Sequence, residues 1–228
     1  MSNKPQAPAD AETVLLKDGI APKRAERGEK EGMQRIIEAA KLEFCKAGLT
    51  GAKLENIAQR AGVSKQLIHH YYRTKPGLYV AVANEISAQA IDDLSQLRYE
   101  EFEPADALRQ FLYGVFDLYV RFPFMSGMVV DANLLGGEHF PECRELILRS
   151  PILMERLVHV IERGQQSGLF KQPLNISATF SAAIMVTTGC FTNGSSVSVL
   201  AAFDFNDQDN LKFWREYSVG FVLDALRP

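Results

Sequence analysis

Cysteine is scarce in this 228-residue chain, and its arrangement excludes two structural roles. The three residues, Cys45, Cys143 and Cys190, are odd in number, widely separated and without metal-ligand spacing. They predict neither a disulfide framework nor a metal site, and they indicate buried thiols in a reducing, cytoplasmic setting. A redox-sensing role for one of them stays open.

Secretory and enzymatic motifs are also missing. The first thirty residues are polar and lack an apolar core segment, so we expect no secretory signal. The chain contains no HExxH, ExxH or GxSxG motif and no phosphate-binding loop, while His139 and His159 are isolated. We therefore expect no catalytic residue, no cofactor and no bound metal, with an all-helical enzyme kept as an alternative.

Charge is distributed unevenly, although the total is only −3. Residues 17–78 carry thirteen Lys and Arg against seven Asp and Glu, a net charge of +6. Residues 79–228 carry eleven against nineteen, a net charge of −8. A basic amino-terminal third on an acidic remainder indicates a local DNA-binding face rather than a protein that coats nucleic acid non-specifically.

Residues 54–75, LENIAQRAGVSKQLIHHYYRTK, have the pattern of a short helix, a turn, a second helix and the start of a third. The small side chain of Ala58 lets two helices cross closely, and Gly62 suits a left-handed turn. Apolar residues that fix the crossing are Ile57, Val63 and Ile68. Ser64 is a suitable N-cap for the second helix. The pattern predicts a helix-turn-helix, with an ordinary helical hairpin as the alternative.

Helical periodicity continues outside this motif, with no strand pattern and no internal repeat. Apolar spacing predicts an amphipathic helix that ends near Gly48. A long helix is predicted from Lys75 to about Leu97, with Thr74 as its cap. The chain is therefore predicted to be all-α.

A later segment, residues 172–203, has no Asp, Glu, Lys or Arg in thirty-two positions. Its Pro, Asn and many Ser and Thr residues argue against a membrane span. A helix buried on two sides, with one face against a second subunit, explains the composition better. The last apolar stretch, residues 210–226, is predicted to supply the second helix of this interface, which gives a four-helix bundle in a homodimer.

The run from Ile36 to Tyr79 resembles the DNA-binding domain of the tetracycline-repressor (TetR) family of bacterial regulators. The resemblance rests on IIEAAKLEF, IAQRAGVSK, the pair Tyr71 and Tyr72, and Lys75 opening the next helix. It implies an all-helical homodimer with about nine helices per subunit, of which three form the head and the last two dimerise. The implied domains are a flexible basic arm (1–29), a helix-turn-helix DNA-binding domain (30–77) and a ligand-binding and dimerisation domain (78–228).

The resemblance implies that Lys65 and Gln66 contact bases. By the same motif positions, it places His69, His70, Tyr71 and Lys75 at phosphates or the groove wall. The whole predicted DNA-contacting set is Lys53, Ser64, Lys65, Gln66, Leu67, His69, His70, Tyr71 and Lys75. The sequence departs from the family pattern at two places. Ala52 and Lys53 replace a usual Ser or Thr cap, a loss of roughly 1 kcal/mol, although Lys53 gains a possible phosphate contact. Leu67 replaces a small or polar residue and either touches a thymine methyl group or packs locally.

An aromatic and Met-rich set in the body predicts an adaptable small-molecule pocket. Its members are Phe111, Tyr113, Phe116, Met125, Met128, Asn133, His139, Phe140, Thr187 and Phe191. The set contains no dense charged cluster, with Arg121 and Asp131 as exceptions to consider, so we expect a largely apolar or aromatic effector. Ordinary core packing is the alternative for each member.

These features predict a ligand-responsive transcriptional regulator, with repression expected. Two heads of a homodimer would enter successive major grooves of a near-palindromic double-stranded operator. A small-molecule effector would release the DNA if it bound more tightly to the dimer whose heads are wrongly spaced for the operator. No membrane partner is expected. The alternative is a dimeric ligand-binding or interaction module that does not bind DNA.

Overall fold

The computed structural model describes residues 24–134, 136 and 143–228. Within these ranges the chain forms nine α-helices and a 3-10 turn at Tyr99–Glu101, and it forms no strand. The helices are α1 (Arg24–Gly51), α2 (Leu54–Ala61), α3 (Lys65–Tyr72), α4 (Lys75–Ser95), α5 (Pro104–Arg121), α6 (Phe124–Leu134), α7 (Arg144–Gln166), α8 (Ile176–Ala201) and α9 (Gln208–Leu226). The prediction of an all-α fold is confirmed.

The first helix begins earlier than the sequence predicted. Residues 24–29, predicted as the end of a flexible arm, belong to α1. Apart from Gly28, this segment consists of Arg, Ala and Glu, which extend a helix readily once a neighbouring turn has nucleated it. The helical course is interrupted as predicted at Gly48, which has a left-handed φ of 64°. The remainder of the arm, residues 1–23, lies outside the described residues.

The predicted helix-turn-helix is formed by α2 and α3. Gly62 adopts the left-handed conformation (φ 66°, ψ 38°) that ends α2. Ile57 and Ile68 are buried, so the crossing of the two helices is held by apolar contact. Ser64 caps α3 and Thr74 caps α4, as predicted.

Three aromatic rings join the head (α1–α3) to the body (α4–α9). The ring centroids of Phe44 in α1 and Tyr79 in α4 are 5.1 Å apart, edge to face. Phe124 in α6 lies 5.5 Å from the Tyr79 ring and 6.2 Å from the Phe44 ring. All three side chains belong to the buried core of the head. Helix α6 therefore shares a core with the DNA-binding motif.

All of α8 lies within the uncharged segment, and the helix has two apolar faces. Its inward face packs against α5 and α9 in the core of the body. Its outward face exposes large apolar side chains, namely Met185, Val199 and Leu200, at 72%, 84% and 86% of their surface. Neither α8 nor any other helix in the described ranges combines the length and apolar character needed to span a bilayer.

The amino terminus of α2 receives an acceptor from another helix. Lys53 caps α2 without a side-chain hydrogen bond, as its sequence implied. However, Oε1 of the buried Glu43 in α1 accepts from Lys53 N (3.1 Å) and Asn56 Nδ2 (2.8 Å). Burial opposes ionisation of Glu43, but these two hydrogen bonds outweigh it and hold the pKa of the carboxyl below its ordinary value. The expected loss of a cap is thus offset by a side chain ten residues earlier.

Replacing Glu43 tests this substitute cap. We expect Glu43→Ala to lower the free energy of unfolding by about 1–3 kcal/mol, because Lys53 N and Asn56 Nδ2 lose their shared, buried acceptor. Glu43→Gln keeps an amide oxygen and should lose less. The pKa of Glu43 is lower in the folded state than in the unfolded state, where it is near 4.5. The carboxylate therefore contributes its full stabilisation above pH 4.5, and this stabilisation is lost as the pH falls through the pKa of the folded state. Urea unfolding at fixed protein concentration, at pH 7 and at low pH, measures both effects; equal stability of Glu43→Ala and the parent at pH 7 would contradict the assignment.

Candidate nucleic-acid interface

Helix α3 carries most of the predicted DNA-contacting residues on an exposed surface. The Ser64 hydroxyl accepts from Leu67 N at 3.2 Å, which starts the helix, and buried Ile68 anchors it. The exposed members of the predicted set are Lys53, Ser64, Lys65, Gln66, His69 and His70, while Leu67, Tyr71 and Lys75 are half-buried. Because Leu67 is only half-buried, its side chain is able both to pack within the head and to contact a base.

Lys65 is paired within the head. Its ammonium group bonds the Glu55 carboxylate on α2, and both side chains are about half exposed to solvent. The hydrogen bond from Lys65 holds the pKa of Glu55 below its ordinary value. An exposed pair of this kind is weak, so Lys65 is able to leave Glu55 for a base edge or a phosphate. Sequence reasoning did not identify Glu55 as its partner.

Lys75 has a structural role that the motif did not indicate. Its Nζ donates to the carbonyl oxygens of Thr50 and Ala52, each at 3.0 Å. These carbonyls lie in the link between α1 and α2, so the lysine ties that link to the start of α4. An ammonium group has three donors, and one remains available for a phosphate.

The junction between α3 and α4 is unusually tight. Arg73 has a left-handed φ of 63°, and Thr74 N donates to Tyr72 O at 2.6 Å across it, which forms a γ-turn. A Cβ atom on Gly77 would overlap the Tyr72 carbonyl oxygen, so glycine is required there. Sequence reasoning missed Gly77; its signal is a glycine in the first turn of a helix, where helix propensity disfavours it.

The two histidines of α3 have different surroundings. His69 Nδ1 lies 3.0 Å from the Arg73 carbonyl oxygen, so this nitrogen carries a proton and donates. Its Nε2 is left for an outside partner. The His70 ring packs edge to face on Tyr71, with centroids 5.3 Å apart. His69 therefore has one ring nitrogen held by the backbone, whereas the His70 ring is positioned by an aromatic contact.

A single carboxylate connects α6 to the head. Asp131 Oδ2 accepts from Leu49 N at 2.9 Å and from Tyr79 Oη at 3.0 Å. A Cβ atom on Gly48 would lie 3.1 Å from the other carboxylate oxygen, so glycine also allows this close approach. Burial, followed by the charge of Asp131, raises the pKa of Tyr79 and keeps its hydroxyl a donor. Asp131 thus links the body to the turn that precedes α2.

The residues predicted to bind an effector are dispersed over several surroundings. Phe111 is buried in the core of the body, and Phe116, which is also buried, packs on Phe191 with centroids 4.8 Å apart. Met125 packs against the cores of both the head and the body, and Met128 packs against that of the head. Asn133 is exposed, and His139 and Phe140 lie outside the described residues.

Two other members of that set have opposite roles. Tyr113 faces α9, where its hydroxyl bonds Glu216 and the Arg215 guanidinium lies 3.8 Å from its ring centroid. Thr187 is fully buried in α8, and its hydroxyl has no hydrogen-bond partner among the described residues. A buried hydroxyl without a partner carries a free-energy penalty. Thr187 is therefore the member whose surroundings call for an additional partner.

Two family models match the chain. The model "Bacterial regulatory proteins, tetR family" matches residues 36–82, and "Tetracyclin repressor-like, C-terminal domain" matches residues 104–222, more than half of the chain. The chain is 28% identical to the HTH-type transcriptional repressor NicS of Pseudomonas putida over 214 residues, which are 92% of this chain and 98% of NicS. It is 30% identical to the HTH-type transcriptional regulator RutR of Escherichia coli over 122 residues, 54% and 51% of the two chains.

Solved structures show the same fold. The regulator SCO4942 of Streptomyces coelicolor has a TM-score of 0.63 at 24% identity, with 86% of this chain and 98% of that chain covered. The fatty acid degradation regulator FadR of Bacillus halodurans has a TM-score of 0.66 at 17% identity, with 86% and 96% covered. With both domain models matched in the order head and body, this chain belongs to the TetR family of bacterial transcriptional regulators.

Proposed function

We propose that the protein is a homodimeric repressor that a small, largely apolar or aromatic effector releases from a near-palindromic operator. The observation that carries the proposal is the capped, exposed α3, whose head shares its core with α6 of the body. The similarity to NicS, named a repressor, supports the direction of regulation. The experiment is footprinting of the purified protein on DNA flanking its own gene, with and without candidate effectors.

A ligand-binding or interaction module without DNA binding is the second candidate. This second function would require that the exposed surface of the helix-turn-helix lack basic and polar side chains. The exposed residues of α3 instead include Lys65, Gln66, His69 and His70, and side chains of these types hydrogen-bond to bases and phosphates. The DNA-binding proposal is therefore preferred. Under it, Lys65 and Gln66 read base edges, Leu67 meets a thymine methyl group, and Lys53, Ser64, His69, His70, Tyr71 and Lys75 meet phosphates or the groove wall.

The outward faces of α8 and α9 support the homodimer. Large apolar side chains are exposed along both helices: Met185, Val197, Val199, Leu200, Phe213, Tyr217 and Phe221. Such a contiguous apolar surface is typical of a protein interface. Ala183 in α8 is buried inside the subunit, because it belongs to the core between α8 and its neighbours.

A cluster of aromatic rings closes the turn between α8 and α9. Trp214 lies 5.3 Å from Phe205 and 5.9 Å from Tyr217 between ring centroids, and Phe203 packs on the same indole. The buried indole Nε1 has no hydrogen-bond partner among the described residues. Buried indole N–H groups usually have an acceptor. Together with the exposed ring of Phe213, this cluster extends the proposed interface to the end of the two helices.

Effector release needs a connection between the interior of the body and the head. Thr187 in α8 is the proposed polar contact of an effector among the rings of Phe116 and Phe191, and α6 packs on α8. At its other end α6 bonds the head through Asp131. An effector that displaces α6 would therefore move the Leu49 turn and the heads with it.

The dimer prediction concerns an exposed residue of α8. Met185→Glu should raise the dimer dissociation constant at least about tenfold, because a charge would be buried in an apolar interface. A matched change at Glu162→Gln, on the exposed surface of α7, should leave the association unchanged. Sedimentation velocity at micromolar concentration measures both. A parent protein that sediments as a monomer would rule out the homodimer.

Lys65 and Lys75 should act by different routes. Lys65→Ala should weaken operator binding by about 1–3 kcal/mol and relax sequence preference, because a base contact is lost. Lys75→Ala should weaken binding to every sequence similarly and lower the salt slope by about one unit. Since Lys75 also holds two carbonyls, this variant should in addition lower the melting temperature. Fluorescence anisotropy with operator and scrambled DNA, with Lys212→Ala in α9 as control, distinguishes the routes; equal loss of specificity in both variants would refute them.

Asp131 should set the operator-competent position of the head. In Asp131→Ala the Leu49 amide and the Tyr79 hydroxyl lose a shared acceptor, a loss of about 1–3 kcal/mol. We expect weaker operator binding and faster hydrogen exchange at Leu49. Asp131→Asn keeps an acceptor oxygen, and Tyr79→Phe removes one donor only, so both should change less. An unchanged Leu49 exchange rate in Asp131→Ala would disprove the link.

A further inference from the structure

An open groove of about 650 Å³ lies where α1 meets the α5–α6 corner. Apolar side chains form much of its lining, among them Ala39, Leu42, Ile86, Phe122 and Phe124. Leu42 exposes 57% of its surface there. The groove contains no residue of the predicted DNA-contacting or effector-binding sets. Its volume is in the range of small-molecule sites.

Four cationic side chains border this head–body groove, and they differ in their partners. Lys41 Nζ bonds the carboxylates of Glu38 (2.7 Å) and Glu85 (3.0 Å). Arg121 bonds Asp93 at 2.6 Å. These two cations are therefore neutralised by the protein itself.

The other two cations are Arg35 on α1 and Arg60 on α2. Both are exposed, and neither has an ion pair or a hydrogen bond among the residues that the structure describes. Arg60 has an electrostatic interaction with the carboxylate of Glu43, without a hydrogen bond to it. That carboxylate already accepts hydrogen bonds from Lys53 N and Asn56 Nδ2. Two guanidinium groups beside an apolar surface are therefore left without a hydrogen-bonded carboxylate among the described residues.

We propose that the head–body groove binds an amphipathic monocarboxylate, with Arg35 and Arg60 at the carboxylate and the apolar lining around its hydrocarbon part. Guanidinium groups match a carboxylate with parallel hydrogen bonds. The hydrocarbon part would cover Leu42 and the ring of Phe122, which removes apolar surface from water. The groove is walled by α1 of the head and the α5–α6 corner of the body, so its occupant touches both units. Binding here does not require DNA.

Cys45 makes occupancy of the groove measurable. It lines the groove and is exposed, whereas Cys143 and Cys190 are buried. Decanoate should slow the alkylation of Cys45 by iodoacetamide about fivefold or more at saturation, because an occupied pocket excludes reagent from its lining. Peptide mass spectrometry gives the rate for each cysteine. Unchanged protection of Cys143 and Cys190 verifies that the fold is intact.

Variants and probes separate this proposal from simpler explanations. The double variant Arg35→Gln, Arg60→Gln should raise the decanoate concentration for half-protection at least about tenfold. Lys30→Gln, Lys46→Gln removes the same charge from exposed positions of α1 outside the groove and should bind decanoate like the parent. Decan-1-ol and inorganic phosphate should each protect far less. Absence of protection by decanoate, equal protection by decanol or phosphate, or full protection in the arginine variant would overturn the proposal. Because the assay contains no DNA, its failure leaves the proposed regulatory function untouched.

Discussion

The position of the DNA-binding head depends on one carboxylate oxygen. Asp131 Oδ2 serves a backbone N–H at the end of α1 and a phenol on α4 at the same time. One donor is the peptide group of Leu49, which cannot change rotamer, so the bond fixes the course of the chain into α2. The Tyr79 ring also packs on Phe44 and Phe124 in the core that the head shares with α6.

The head satisfies its remaining backbone groups with side chains from other helices. Glu43 in α1 accepts from the start of α2, and Lys75 in α4 donates to the link between them. Short helices leave many peptide groups without internal partners. Here three charged side chains, including Asp131, serve that purpose. The head is therefore organised by ionic groups at its joints as much as by its small apolar core.

The sequence predicted those features whose partners lie close together along the chain. Gly62 as the turn and Ser64 and Thr74 as caps were correct, because each acts on a residue within one helical turn. The bond from Asp131 to Leu49 spans 82 residues, and no local pattern contains it. The beginning of α1 was misplaced because its charged residues are equally compatible with a helix and a solvated arm.

The effector set shows a second limit of sequence reasoning. Tyr113 and Phe116 lie on the same helix three residues apart, yet one meets the charged surface of α9 and the other the interior. Periodicity identifies an apolar stripe but not which neighbour each edge of it meets. The head–body groove was missed for the same reason, since its lining comes from five separate helices and the corner between two of them. A sequence does not show which arginines lack an ion pair, because that depends on where the carboxylates lie in the folded chain.

The aromatic cluster at the α8–α9 turn also has a spectroscopic consequence. Trp214 is the single tryptophan of the chain, so all indole emission originates at this turn. The emission spectrum of an indole depends on the polarity and hydrogen bonding around it, and the buried N–H of Trp214 has no acceptor among the described residues of its own subunit. Helices α1 to α4 contain no indole. The unmodified protein therefore has an intrinsic optical probe at its proposed subunit interface, with no tryptophan signal from the DNA-binding head.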